Sequence, residues 1–144
     1  MLCECDLRKG IVYIPTLGKV PGGPYRGMEP VAVVPVSNTA ALRHALGEAL
    51  TRGNPTVPRL LRANRPEPVM PKHAGVKTWA AFERGTSFWW LREDEGLYNI
   101  TGLKRGRYGG QVPDHDREED FPAGTSVETV IDRMIAILQS AHER

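Results

Sequence analysis

Residues 86–103 read TSFWWLREDEGLYNITGL, and their pattern predicts a β-hairpin. The first arm, residues 86–92, is rich in the aromatic and β-branched residues that favour strands. The turn residues Asp94-Glu95-Gly96 follow, and Gly96 tolerates the positive φ that tight hairpin turns need. Residues 97–103 then return as the partner strand.

The C-terminal residues predict an amphipathic helix that packs on this hairpin. Thr125 and Glu128 have the spacing of a capping box, which marks a helix N-terminus. Apolar residues then recur at three- and four-residue intervals and form one stripe. The stripe consists of Val127, Val130, Ile131, Met134, Ile135 and Leu138.

The first half of the chain has a similar layout. Residues 11–14 and 29–36 predict strands, Asn38 supplies N-cap chemistry, and an apolar stripe through Leu42 and Leu46 predicts a helix that ends at Gly53. In each half a proline precedes the cap by three residues, Pro35 before Asn38 and Pro122 before Thr125. We therefore predict an α+β fold of two strand-strand-helix units, an antiparallel sheet with helices packed on one face.

The chain has 144 residues and predicts a single domain, 1–144, with a proline-rich link at 54–72. Five prolines in the link disfavour regular structure, and Arg59, Arg62 and Arg65 lie between them. The link is interpreted either as a functional arm or as a segment pinned by its apolar residues. Those residues are Leu60, Leu61, Val69 and Met70.

Composition restricts the location and the classes of ligand. The net charge is +2, too low to make nucleic acid or membrane the default partner. The first nine residues carry acids and bases where a signal peptide is apolar, so we expect a cytoplasmic protein. Cys3 and Cys5 are then reduced thiols in a mobile N-terminal tail. We expect no bound metal and no cofactor, because no ligand spacing is present.

The acidic residues of the second half are concentrated in two predicted loops. Residues 1–72 hold ten basic and five acidic residues, whereas residues 73–144 hold nine basic and twelve acidic ones. A basic partner would relieve the repulsion within the two loops, and a solvated loop that aids solubility is the alternative interpretation. The two loops contain Glu93, Asp94, Glu95, Asp114, Asp116, Glu118, Glu119 and Asp120.

Two adjacent tryptophans add an apolar candidate to this surface. Trp89 and Trp90 must point to opposite faces of a strand, so one belongs to the core. The other is exposed, covered by the link, or buried in a partner. No nucleophile, base or phosphate-loop constellation accompanies them, and we expect a protein that is not an enzyme.

A rival interpretation is a single-stranded nucleic acid or RNA-binding module. Aromatic residues interleave with basic ones near the hairpin, and such a sheet face can stack unpaired bases. The residues expected to act are Trp89, Tyr98, Arg105 and Arg107.

A family resemblance covers roughly residues 74–140. The block VKTWAAFERGTSFW at residues 76–89, followed by FPAGT at 121–125 and the final helix, resembles immunity proteins of bacterial contact-dependent growth inhibition, the polymorphic toxin systems. The resemblance implies a protein that binds and neutralises its own cognate toxin. It transfers no individual binding residue, because these proteins are diverse.

Together these features predict an immunity protein that blocks the active-site cleft of a toxin, a nuclease in our interpretation. The acidic loops would occupy the phosphate-binding cleft, and Trp90 or Trp89 would anchor the contact.

Overall fold

The computed structural model describes residues 1–64 and 66–144; Arg65 of the link lies outside the described residues. Six strands form one antiparallel sheet in the order β3-β2-β1-β4-β5-β6. The strands are β1 Leu2–Arg8, β2 Ile11–Gly18, β3 Arg26–Pro35, β4 Thr86–Asp94, β5 Leu97–Arg105 and β6 Gln111–Asp120. The helices are α1 Thr39–Arg52, α2 Val69–Ala74, α3 Trp79–Glu83 and α4 Val127–His142.

The predicted α+β class is confirmed, and the two halves share a layout that differs from the predicted one. Each half contributes three strands and then a long helix, rather than the two strands expected from the sequence. The first strand of each half, β1 and β4, pairs at the centre, and the later strands follow outward.

Helices cover both faces of the sheet, whereas the sequence indicated one. The long helices α1 and α4 pack together on one face over Val12, Ile14 and Leu91. The short helices α2 and α3 pack on the other face over Tyr13 and Phe88. The central strands carry apolar residues on both sides, so each face needs a cover.

The expected mobile tail is wrong, because residues 2–8 form the central strand β1. Cys3 and Cys5 are buried in the core beneath α1 and α4. Glu4 and Asp6 alternate with them and point to the opposite face, where Glu4 pairs with Trp90 across the sheet.

The expected polar loop at 113–120 is also wrong, because these residues belong to the edge strand β6. The register with β5 shifts between Thr101 and Leu103, so several residues of β6 bulge outward opposite Gly102. The charged residues that suggested a loop are instead typical of a protected sheet edge.

The link is pinned to the sheet, and its last residues are helical. The Asn54 side chain forms hydrogen bonds with the backbone of Leu2 and Leu17. Thr56 forms an isolated parallel β-bridge with Lys19. Met70, on α2, is buried in the second face, whereas Leu61 is exposed.

The cap of α4 lies one residue later than expected. Ser126 is the N-cap and accepts a hydrogen bond from the backbone N–H of Thr129. Thr125 instead donates its hydroxyl to the carbonyl of Pro122, so the capping box is not formed. Within the described residues, no helix is both long and apolar enough to cross a membrane.

Candidate functional site

The register of the sheet brings most of the predicted acidic residues to one end. Asp94 lies opposite Leu97 in the β4–β5 hairpin, and Asn99 lies opposite Asp120 in the next pair of strands. The hairpin turn and the end of β6 are therefore neighbours. We call this surface the acidic end; it comprises Glu93, Asp94, Glu95, Glu118 and Asp120.

The carboxylates of the acidic end differ in how they are held. Asp94 and Glu95 are exposed at the turn. Glu93 is half-buried, and its side chain accepts a hydrogen bond from the backbone N–H of Gly96. Asp120 and Glu118 both accept from the Asn99 amide, at 2.7 and 3.0 Å. Hydrogen bonds from His115 and then Asn99 hold the pKa of Glu118 below its usual value. Glu118 is thus ionised at neutral pH.

The remaining acidic residues of β6 lie away from the acidic end. Glu119 points to the α4 face and binds Arg133 at 2.8 Å. Asp114 binds Arg117 at 3.1 Å inside the bulge. Desolvation would raise the pKa of Asp114, but hydrogen bonds from Arg117 and from the backbone of Asp116 outweigh it and lower that pKa. Asp116 is exposed on the bulge.

Trp89 is a core residue. It is 5% exposed and packs under the two long helices, and the Arg117 guanidinium lies over its ring at 4.9 Å. Its indole N–H is buried without a hydrogen-bond partner among the described residues. A partner would have to open the core to reach it, so Trp89 is not available as an anchor.

Trp90 lies on the opposite face and lines a groove. It is half-buried, and its indole N–H donates to Glu4 Oε1 at 3.3 Å. The Arg92 guanidinium lies 4.8 Å from the centre of its ring. Of the two predicted anchors, Trp90 is the one that a partner could reach.

The groove has a volume of about 1140 Å³ and a mostly apolar lining. Leu2, Glu4, Trp90 and Arg92 form its floor on the sheet. One wall is the β2–β3 turn and the link, which are tied together by a hydrogen bond from Arg59 to the Gly22 carbonyl and one from Arg26 to the Pro58 carbonyl. The opposite rim includes Glu93 and Asp94, so the groove opens onto the acidic end.

Two carboxyl groups on β1 occupy low-polarity surroundings on this face. Burial raises the pKa of Glu4 to about 7, and the hydrogen bond from Trp90 opposes this only in part. Asp6 is fully buried, and neither of its carboxyl oxygens has a hydrogen-bond partner among the described residues. Burial first, and then the charge of Glu4, raise the pKa of Asp6 well above its usual value. Raised pKa values of this kind are frequent at functional sites.

The basic residues of the rival interpretation lie at the far end of the same strands. Arg105 ends β5, and Arg107 follows in the turn, 5.7 Å from the ring of Tyr108. Tyr108 is 93% exposed. Tyr98, by contrast, lies beside the acidic end, where it is opposite Glu93. The structure therefore does not bring the four predicted nucleic acid contacts together.

In residues 1–64 and 66–144, no group of three His, Cys, Asp or Glu side chains could hold a metal ion. Glu4, with a pKa of about 7, could exchange a proton with a ligand in the groove. The described residues that line the groove include no Ser, Thr, Cys, His or Lys.

The groove and the pair Glu4 and Asp6 were missed by the sequence analysis. The signal was present in residues 2–7, Leu-Cys-Glu-Cys-Asp-Leu, where thiols and carboxyls alternate with the period of a strand. Acidic residues in a short N-terminal segment suggested a tail instead.

No family model and no curated protein matches this chain. Among solved structures, a protein of unknown function from Neisseria meningitidis has a similar fold, with a TM-score of 0.65 and 13% sequence identity. The alignment covers 97% of this chain and 93% of that protein. At this identity the likeness concerns the fold alone.

Proposed function

We propose that this chain is a cytoplasmic immunity protein that binds a cognate toxin and neutralises it by covering the toxin's active-site cleft. The observation that carries the proposal is the acidic end, where two chain segments place exposed carboxylates at the same end of the sheet. A toxin that cuts nucleic acid needs a basic cleft for phosphates, so a nuclease is the class of toxin that this surface fits.

The mechanism is steric and electrostatic. Exposed carboxylates accelerate encounter with a basic cleft and fix the orientation of the complex. Asp94 and Glu95 are exposed at the tip of a hairpin and can enter a concave site. The toxin loses access to the phosphates of its substrate once the cleft is filled, and no reaction by this chain is required.

The basic turn at the other end supports the orientation. Arg105 and Arg107 lie at the opposite end of the β5 strand from Asp94 and Glu95. Strands β4 and β5 therefore carry charge of opposite sign at their two ends. A basic cleft is attracted by one end and repelled by the other, which favours one docking direction.

Protection of living cells tests the proposal. The protein encoded by the reading frame next to the gene for this chain would be expressed in a laboratory bacterium, with or without this chain. We expect growth arrest without the chain and growth with it. Arrest that is equal in both cultures would overturn the proposal.

A charge-reversed variant tests the mechanism in the same assay. Asp94→Lys, Glu95→Lys and Asp120→Lys together should abolish protection, because a basic cleft would be repelled. Glu119 is left in place, because it pairs with Arg133 and its loss would disturb the α4 face. The matched control reverses three exposed carboxylates, Glu48 on α1, Glu128 on α4 and Glu143 just after α4, and should protect normally.

The alternative function is a single-stranded nucleic acid or RNA-binding module. The exposed Tyr108 ring with Arg107 nearby is the observation that favours it. Filter binding of labelled single strands at low and high salt tests it, because phosphate contacts give a steep salt dependence. Retention at low salt that is lost in Tyr108→Ala would support this function, and no retention at low salt removes it.

A further inference from the structure

We propose that the groove beside the acidic end receives an arginine or lysine side chain of the protein partner, with the Glu4 carboxylate as its receptor and Trp90 as the aromatic wall. The inference rests on the proposed function and extends it, because it assigns a second contact to the same partner. It adds Glu4, a residue outside the acidic end, to the binding surface.

The shape of the groove fits an extended segment with one inserted side chain. Apolar residues line most of it, among them Leu17, Val20 and Met70. Glu4 lies on its floor, and the Trp90 indole N–H donates to Glu4 Oε1 at 3.3 Å. A carboxylate beside an aromatic ring suits a cationic side chain, since both the charge and the ring attract it.

The local charge also favours a cation. Glu4 and Asp6 are separated by one residue on the same face of β1, and no described cation forms an ion pair with either. Their burial raises the pKa values of both groups, which means that the ionised forms lack compensation. An incoming guanidinium or ammonium group would supply that compensation and favour ionised Glu4.

Three arginines line the groove, and each already has a contact. Arg26 and Arg59 donate to backbone carbonyls of the wall, and Arg92 lies on the Trp90 ring. A polyanion would meet Glu4 at the floor and the acidic end at the rim. The observations therefore favour a basic protein segment over a nucleic acid strand in this groove.

The groove and the acidic end form one surface. Glu93 and Asp94 belong to both, because they lie at the groove rim and at the hairpin tip. A partner seated on the acidic end would have its neighbouring residues directly over the groove. One basic face of the partner could then fill both.

A peptide titration tests the inference without the toxin. The probe is the blocked pentapeptide Gly-Ser-Arg-Ser-Gly, and its counterpart carries citrulline, which is neutral and nearly isosteric with arginine. The readout is the NMR resonance of the Trp90 indole N–H, which donates to Glu4. We expect a saturable shift with the arginine peptide at millimolar concentration and binding weaker by roughly five-fold or more with citrulline.

Two variants identify the receptor. Glu4→Gln keeps the shape and should remove the preference for arginine over citrulline. Glu48→Gln removes an exposed carboxylate on the other face, on α1, and should keep the preference. Trp90→Phe retains an aromatic wall but loses the indole N–H; its titration is followed on neighbouring backbone amides and should show weakened binding.

The arginine preference should also depend on pH. Binding should strengthen from about pH 6 to about pH 8, because the ionised form of Glu4 is the receptor. Other charged groups line the groove or share the sheet face, and Glu4→Gln separates their effect on the pH profile from that of Glu4. They include Asp6 and Arg8 on β1, the Met1 amino group, Arg26, Arg59, Glu67, Arg92, Glu93 and Asp94.

Several results would overturn the inference. The first is no shift of the Trp90 indole N–H resonance at millimolar peptide. The second is equal binding of the two peptides, and the third is an arginine preference that remains in Glu4→Gln. A saturable shift of the same resonance with oligothymidine would assign the groove to nucleic acid instead. If the chain protects cells but does not bind the arginine peptide, this inference is wrong and the proposed function stands. If the chain binds the peptide but does not protect cells, the proposed function is wrong.

Discussion

At the scale of single residues, the carboxyl groups of Glu4 and Asp6 carry the most information. A carboxyl that is buried without a cation holds its proton more tightly than it does in the unfolded chain. The pKa of Glu4 rises from an ordinary 4.5 to about 7. The folded state therefore binds more protons than the unfolded state between these two values, and stability falls as pH rises through this window.

Glu4→Gln should make stability less dependent on pH. Glu4 contributes stability that is fully present below about pH 4.5 and is lost as pH rises through about 7. The contribution is on the order of 2 kcal/mol, because a tenfold change in proton affinity is worth about 1.4 kcal/mol and the partly exposed side chain reduces the total. Urea unfolding of the wild type and of Glu4→Gln across this range measures the difference.

The control for that experiment is Glu67→Gln, which removes an exposed carboxylate on the link. It should keep the wild-type decline in stability. A decline of equal steepness in Glu4→Gln would show that Glu4 is not the group responsible.

Gly102 allows the close approach of Arg117 to Trp89. A Cβ at Gly102 would lie 2.9 Å from Arg117 Cζ and 3.0 Å from Trp89 Cζ3. Gly102→Ala should therefore displace the guanidinium and destabilise the fold by about 1–2 kcal/mol, as small-to-large changes in packed sites do.

Denaturant unfolding of Gly102→Ala in two backgrounds checks this explanation. In the Arg117→Ala background the alanine meets one neighbour fewer, so the cost should be smaller there. An equal cost in both backgrounds would mean that Arg117 plays no part in the penalty.

At the scale of elements, the sequence predicted some strands and missed others for a physical reason. The aromatic hairpin was recognisable because strands β4 and β5 combine high β propensity with a strong turn. Strand β1 was missed because its two carboxyl groups are typical of surface residues. In this sheet, which has helices on both faces, both sides of a central strand are buried. Strand β6 was missed because five carboxylates dominate its composition.

The start of α4 is an element-level difference that a pair of variants can test. Ser126→Ala removes the side chain that accepts the Thr129 N–H, so it should cost about 1 kcal/mol of stability. Thr125→Ala removes a hydroxyl that donates to Pro122 and should cost less. Urea midpoints of the two variants decide between the caps, and a larger loss with Thr125→Ala would favour the capping box.

At the scale of the whole molecule, the repeated layout explains why the acidic end exists. The two halves meet at β1 and β4, so β5 and β6 lie to one side of the centre, and the β4–β5 turn and the edge strand β6 are free. The composition predicted that the second half is acidic, and the register shows which of those carboxylates are neighbours. Register depends on long-range pairing, which local patterns do not specify.

The same limit applies to the candidate site. The sequence predicted that one of Trp89 and Trp90 is buried, and the structure shows that it is Trp89. The groove could not be predicted, because it is built from distant segments of the chain. The β2–β3 turn and the link form one wall, and strands β1 and β4 form the floor. Only the tertiary fold brings these segments together.

Association with the toxin should depend on ionic strength. Attraction between exposed charges is screened within about 10 Å at moderate salt, so the association rate constant should fall as salt is added. The dissociation rate constant should change much less. A rate of association that is indifferent to salt would contradict electrostatic steering by the acidic end.

Recognition of a basic protein by exposed carboxylates at one end of the sheet is the central proposal. The most direct test is stopped-flow association of the purified toxin domain with three forms of this chain. The first is the wild type, and the second carries lysine at Asp94, Glu95 and Asp120. The third is the control variant, which carries lysine at Glu48, Glu128 and Glu143. We predict association at least roughly ten-fold slower for the reversal and unchanged for the control. Equal rates for all three proteins would contradict the proposal.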